Sequence, residues 1–261
     1  MTKTAFDANP DKNRSTDVPC IEGTRVLVHP DNPKPMYIHA NWVRCPVSNR
    51  IYLAAQSPME NTVEDFLFMI FENQATRIVM LCDWTEQGAN ACAEYFPMET
   101  GAYKNFGTMS VTCKAVDDSD TFKSYVLELL PEGCSNSLIA TVFHCKDWAR
   151  HGLMNQKSFM RLLKSMSSRE FCHTGAMPPI VIHGNTGVGR VGCFLIFDLV
   201  IHRLFKGEKV SLIALLEWVR TNRACAISSD DQYVFVANSV NDYLKNLFPD
   251  KVEKAMNGNL P

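Results

Sequence analysis

Long apolar runs are missing from this sequence, and with them any candidate for a membrane span. The most apolar stretch, Gly192 to Leu204, is interrupted by Asp198 and His202, well short of the roughly 20 apolar residues a helix needs to cross a bilayer. An excess of one charge is missing too: 26 Lys and Arg stand against 28 Asp and Glu. Bulk electrostatics therefore gives no reason to expect a nucleic-acid or membrane-surface partner. The opening Met-Thr-Lys-Thr-Ala-Phe-Asp-Ala-Asn-Pro lacks the basic-then-apolar order of a signal peptide. Ten cysteines, spread from Cys20 to Cys225, show neither close pairs nor zinc-ligand spacing. These absences lead us to expect a reducing, cytoplasmic setting, free and mostly buried thiols, and no metal or cofactor.

What is present is an ordinary core-forming composition, 46% hydrophobic over 261 residues, with no Gly/Ser linker, repeat or low-complexity tract to divide it. One domain is expected over 12–249, with flexible tails at 1–11 and 250–261. Period-two or continuous apolar runs predict strands at Tyr37 to Val43, Arg50 to Ala55, Arg77 to Cys82, Thr108 to Ala115, Phe122 to Leu130, Ser137 to Cys145 and Pro179 to His183, with a turn at Pro46 to Asn49. Helical spacing predicts Thr62 to Asn73 (capped by Asn61 or Thr62), Asn155 to Ser167, Cys193 to Phe205, Ser211 to Thr221 and Asp230 to Leu247. Buried strands alternating with amphipathic helices imply an α/β fold on a twisted mixed sheet flanked by helices.

The organising stretch is Pro179-Ile-Val-Ile-His-Gly-Asn-Thr-Gly-Val-Gly-Arg-Val-Gly192. A strand runs into a glycine-rich turn and leaves as a helix, a layout that gathers backbone N–H groups and a helix dipole around an anion. Arg190 adds a planar donor fork suited to phosphate oxygens. A dinucleotide reading of Gly187-Val-Gly-Arg-Val-Gly192 needs a second parallel strand carrying Glu208, but the residues after Lys209 are spaced as a helix. A nucleotide P-loop reading fails because Arg190 and Val191 replace its Lys and its hydroxyl.

His183-Gly-Asn-Thr-Gly-Val-Gly-Arg190 resembles the signature loop of the protein tyrosine phosphatase family, His-Cys-Ser-x-Gly-x-Gly-Arg-Ser/Thr-Gly. The resemblance runs over nearly the whole chain: Lys12-Asn-Arg14, Thr24-Arg-Val26, Tyr37-Ile-His-Ala-Asn-Trp-Val43, Gln56-Ser-Pro58, Asp65-Phe66, Ile78-Val-Met-Leu81, Cys92, Tyr95-Phe-Pro97 and Asp230-Asp-Gln-Tyr-Val-Phe235 fall in family order. It implies that family's fold. It also implies a phosphate cradle from Asn185, Thr186, Gly187, Val188, Gly189 and Arg190, supported by Glu86 bracing Arg190, by Asp17 holding a peptide main chain, and by Trp148, Arg150 and Gln232.

Set against the family's reaction, a thiolate attack on phosphorus aided by a general acid, four positions depart. Gly184 stands for the nucleophilic cysteine, Arg150 for the acid, Val191 for the assisting hydroxyl and Ser228 for the water-positioning Gln. Ser15 also replaces the Tyr that lines the phosphotyrosine slot. The expectation from sequence is therefore a protein that is not an enzyme. It would be a pseudophosphatase that binds phosphotyrosine or another phosphorylated segment of a protein partner, such as a kinase or its substrate, without hydrolysing it. The alternative is a phosphate-independent interaction scaffold on the same fold.

Overall fold

A computed structural model of the chain describes residues 1–29, 36–44, 50–145, 148, 155–167 and 177–248. The expected turn at Pro46 to Asn49, the acid-position residue Arg150 and the segment 250–261 lie outside them. The strands are β1 (Arg25–Val28), β2 (Met36–Arg44), β3 (Ile51–Gln56), β4 (Arg77–Met80), β5 (Thr85–Glu86), β6 (Ala89–Asn90), β7 (Tyr103–Phe106), β8 (Met109–Asp118), β9 (Phe122–Pro131), β10 (Leu138–Cys145) and β11 (Ile180–Gly184). The helices are α1 (Thr4–Asp7), α2 (Val63–Glu72), α3 (Gln156–Ser167), α4 (Gly189–Phe205), α5 (Leu212–Asn222) and α6 (Asp230–Leu247).

Nine strands form one mixed sheet in the order β1-β2-β3-β11-β4-β10-β9-β8-β7, and β5 pairs with β6 as a separate hairpin. The α/β expectation, a mixed sheet flanked by helices, holds. The four central strands run parallel, with antiparallel strands on both sides. β11, the last strand among the described residues, lies between β3 and β4, with Ile180 facing Tyr52 on one side and Arg77 on the other. The glycine turn therefore leaves the carboxyl edge of the sheet at its middle, where α/β sheets bind ligands.

Alternation along β11 splits the core in two. Ile180 and Ile182 join Phe194 and Phe197 of α4 on one face, while Val181 joins Phe66, Leu67 and Ile70 of α2 on the other. Every residue of α4 from Arg190 to Ile201 is buried, because the helix is enclosed by the sheet, α5 and α6. A helix in that position is apolar all round and carries no stripe. Its buried Asp198 accepts from the Tyr52 hydroxyl, with Arg50 Nη1 at 3.7 Å.

Three expectations are corrected. Helix α4 begins at Gly189 instead of Cys193, since the Gly192 amide already donates to Val188 O at 2.8 Å; glycines read as turn residues here serve close packing. Segment 1–11, expected as a flexible tail, is mostly exposed but anchored at one point: Phe6 is buried with Cys20 and Tyr37, and the Ala5 amide donates to Glu22 Oε2 at 2.8 Å. Thr62 occupies the N-cap of α2 without capping it, its hydroxyl being turned back to Met59. Strands β1 and β7 were not anticipated; both are four residues long, too short to show a period. No helix among the described residues is long and apolar enough to cross a membrane.

Candidate functional site

The turn between β11 and α4 is held from outside by its carbonyls. Asn185 O accepts from the Ser57 amide at 3.0 Å. Thr186 O and Gly187 O accept from Arg223 Nη2 and Nε at 3.1 and 3.0 Å. Val188 O accepts from the amides of Gly192 and Ile227 at 2.8 and 3.1 Å. In a trans peptide the N–H points opposite to the preceding C=O, so the amides of Thr186, Gly187, Val188 and Gly189 face the other way, into the loop's concavity. None of the amides from Asn185 to Arg190 donates to another group among the described residues.

Gly187 makes this path possible. Its φ is +73°, and a Cβ there would collide with the Ala55 carbonyl and lie 2.6 Å from Arg223 Nη2. Gly184 is different. A Cβ at that position would meet Leu81 Cβ at 3.5 Å, ordinary contact, with no positive φ. Backbone geometry does not demand glycine at the family's cysteine position.

The concavity is a cleft of about 240 Å³ lined by Val18, the loop from Gly184 to Val191, Ser228 and Gln232. Gln232 Oε1 accepts from both the amide and the hydroxyl of Ser228, at 3.0 and 3.1 Å, which fixes the side-chain amide so that Nε2 is the end nearest Gly189. Ser228 thus positions Gln232. Asp17 is exposed at the rim beside Val18, and its backbone amide donates to Ser15 Oγ at 3.2 Å. At the base, Arg190 is 5% exposed. Its Nη1 and Nη2 donate to Glu86 Oε1 and Oε2 at 2.6 and 2.9 Å, and Nη1 also donates to Trp148 O at 2.6 Å. This fork-to-carboxylate pairing is the strong, orienting kind. The structure therefore brings together the loop, Arg190, Glu86, Trp148, Ser228 and Gln232, with Asp17 at the edge.

Sequence reasoning missed the residues behind the loop. Arg223, fully buried, also donates to Asn41 Oδ1 at 2.8 Å and bonds His39 Nδ1 at 3.0 Å. Burial, then the charge of Arg223, pushes the His39 imidazole down to about 3. An arginine just after a helix reads as a routine complement to the helix dipole, so nothing in the sequence marks it.

Sequence reasoning also missed a polar cluster under the loop. Ser57 Oγ lies 3.0 Å from Cys82 Sγ and 3.1 Å from His183 Nδ1, while His183 Nε2 pairs with the Tyr95 hydroxyl at 2.9 Å. Cys92 adjoins Cys82. The hydrogen bond from Cys92, with support from His183 and Ser57, holds the Cys82 thiol well below its ordinary pKa against the opposing effect of burial. Burial and the neighbouring Cys82 push Cys92 the other way.

The family model described as protein-tyrosine phosphatase matches residues 9–242. Tyrosine-protein phosphatase non-receptor type 9 of Homo sapiens is 28% identical over 248 residues, covering 90% of this chain and 42% of that protein. Receptor-type tyrosine-protein phosphatase F of Danio rerio is 27% identical over 237 residues, 88% of this chain and 12% of that one. The chain thus spans less than half the length of these relatives. The expectation that the chain is not an enzyme is overturned by two findings. The relatives matched over most of it are named phosphatases, and a thiol, Cys82, is present in the site region beside His183. The missing thiol at Gly184 does not by itself establish inactivity.

Proposed function

Because the chain belongs to the protein-tyrosine phosphatase family, we propose that the loop from Gly184 to Arg190 binds the phosphate of a phosphorylated segment, phosphotyrosine foremost, on a partner protein. The observation that carries this reading is the division of the loop's peptide groups: the carbonyls of Asn185, Thr186, Gly187 and Val188 are tied to Ser57, Arg223, Gly192 and Ile227, which leaves their paired amides for an oxyanion. Arg190 supplies the charge, and Glu86 sets its plane. The helix α4 dipole adds to the same field. Gln232 Nε2 offers a further neutral donor at the cleft wall.

Calorimetry with a phosphotyrosyl peptide, its unphosphorylated form and inorganic phosphate tests the reading in wild type and Arg190→Ala. The phosphopeptide is expected to bind wild type at least tenfold more tightly than Arg190→Ala, and the unphosphorylated peptide not at all. Equal, negligible heats in both proteins would sink it. Partner association unaffected by a saturating phosphate mimic would move the interaction to another face of the fold. Turnover is a separate measurement: release of phosphate from an aryl phosphate by wild type, Cys82→Ser and Gly184→Cys.

A further inference from the structure

Beneath the cleft, and not lining it, Cys82, Cys92 and His183 offer one ligand atom each, all within 4.8 Å of one another. Both thiols are 1% exposed and His183 is fully buried. This seclusion keeps all three ligand atoms out of reach of bulk solvent. It suits a closed metal site, where thiolate and imidazole are the ligand types that zinc prefers.

We propose that Cys82, Cys92 and His183 form a binding site for a soft divalent cation of the zinc type, with the Ser57 hydroxyl beside the ligands. The surrounding groups agree with that assignment. His183 Nδ1 is the nitrogen on the side of Ser57 and Cys82, whereas Nε2 is paired with the Tyr95 hydroxyl. A metal-bound imidazole characteristically has its other nitrogen held by such a partner. Two thiolates neutralise a divalent cation, so the nearby Arg14 guanidinium, which donates to the carbonyls of Ser57, Pro58 and Asn90, meets no net charge.

The three ligands come from segments that together set the cleft. Cys82 follows β4, Cys92 follows β6, and His183 lies on β11 one residue before Gly184. The two cysteines thus bracket the hairpin that carries Glu86, the brace of Arg190. A cation there would clamp hairpin, strand and loop to one point, a structural role distinct from phosphate binding. Wide spacing in sequence hides the cluster, since only the fold brings β11 beside β4.

The test is titration of the metal-free full chain with cobalt(II), followed by zinc(II) displacement. One equivalent of cobalt is expected, with thiolate-to-cobalt absorption in the near ultraviolet that zinc abolishes. The absorption should persist in Cys134→Ser and Cys225→Ser, whose thiols are exposed, and be lost in Cys92→Ser. Because Cys92→Ser risks misfolding, X-ray absorption of zinc-loaded wild type supplies an independent readout: two sulfur ligands with nitrogen or oxygen completing the shell. No thiolate band in wild type, a band that survives in folded Cys92→Ser, or a shell without two sulfurs would each overturn the assignment.

Discussion

Arg223 holds Gly187 from behind: its Nε donates to the Gly187 carbonyl at 3.0 Å, while Nη2 reaches the carbonyl of Thr186 at 3.1 Å. One side chain from the segment after α5 therefore sets the direction of two peptide groups in the cradle. Replacing it leaves those carbonyls, Asn41 Oδ1 and His39 Nδ1 without their donor. Each buried group so stranded costs about 1–3 kcal/mol. Arg223→Met is expected to lower unfolding stability by about 3 kcal/mol or more and to weaken phosphate binding at least tenfold. Urea unfolding and calorimetry on the same preparation check both; full affinity in a folded variant would detach Arg223 from the site.

The pair Arg190–Glu86 is expected to behave as a unit. Both side chains are nearly fully buried, and removing either strands a charge, a loss of about 3–5 kcal/mol. Arg190→Met with Glu86→Leu removes both charges and is expected to be less damaging than the sum of the single changes. A double-mutant cycle by chemical denaturation should give a coupling of about 1–3 kcal/mol. Additive losses would show that the pair contributes no mutual stabilisation.

Two glycines of one loop should respond very unequally to the same substitution. Gly187→Ala places a Cβ against the Ala55 carbonyl at positive φ and is expected to cost at least about 1–3 kcal/mol. Gly184→Ala meets only ordinary contact with Leu81 and is expected to lie within about 1 kcal/mol of wild type. Thermal unfolding of the two variants side by side decides it. A loss at Gly184→Ala as large as that at Gly187→Ala would show that the loop backbone requires glycine there as well.

Acidification acts through His39. In the unfolded chain its imidazole titrates near the ordinary 6.5, but in the folded protein burial and Arg223 hold it to about 3. Between those values the unfolded chain binds the proton and the native one does not, so stability falls as pH drops below 6.5 and levels off below 3. The limiting slope from this one group is about 1.4 kcal/mol per pH unit. Stability from pH 7 to pH 4 should fall less steeply in His39→Gln than in wild type. Parallel curves would assign the acid sensitivity to other groups.

Much of the fold was legible because its elements are long and strongly patterned. Helix α6 matches its expected bounds, and the strands that became β2, β8, β9 and β10 fell within a few residues of theirs. The loop, Arg190, Glu86 and Gln232 were legible because the resemblance fixes them by spacing. The supports of the loop were not. Arg223, Ser57 and His39 act through carbonyls and through contacts up to 184 residues apart in sequence, and neither periodicity nor motif records a partner at that distance. The grouping of Cys82, Cys92 and His183 escaped for the same reason.

The order of strands carries a consequence for biosynthesis. β3 and β4 do not pair with each other; each pairs with β11, the last to be made of the strands among the described residues. In a chain halted before Ile180, β3 and β4 would each lack their β11 partner, and unpaired strand edges are prone to wrong strand addition. Insertion of β11 closes both edges and delivers the loop from Gly184 to Arg190 in the same event. The loop therefore cannot take its place before the sheet is closed between β3 and β4.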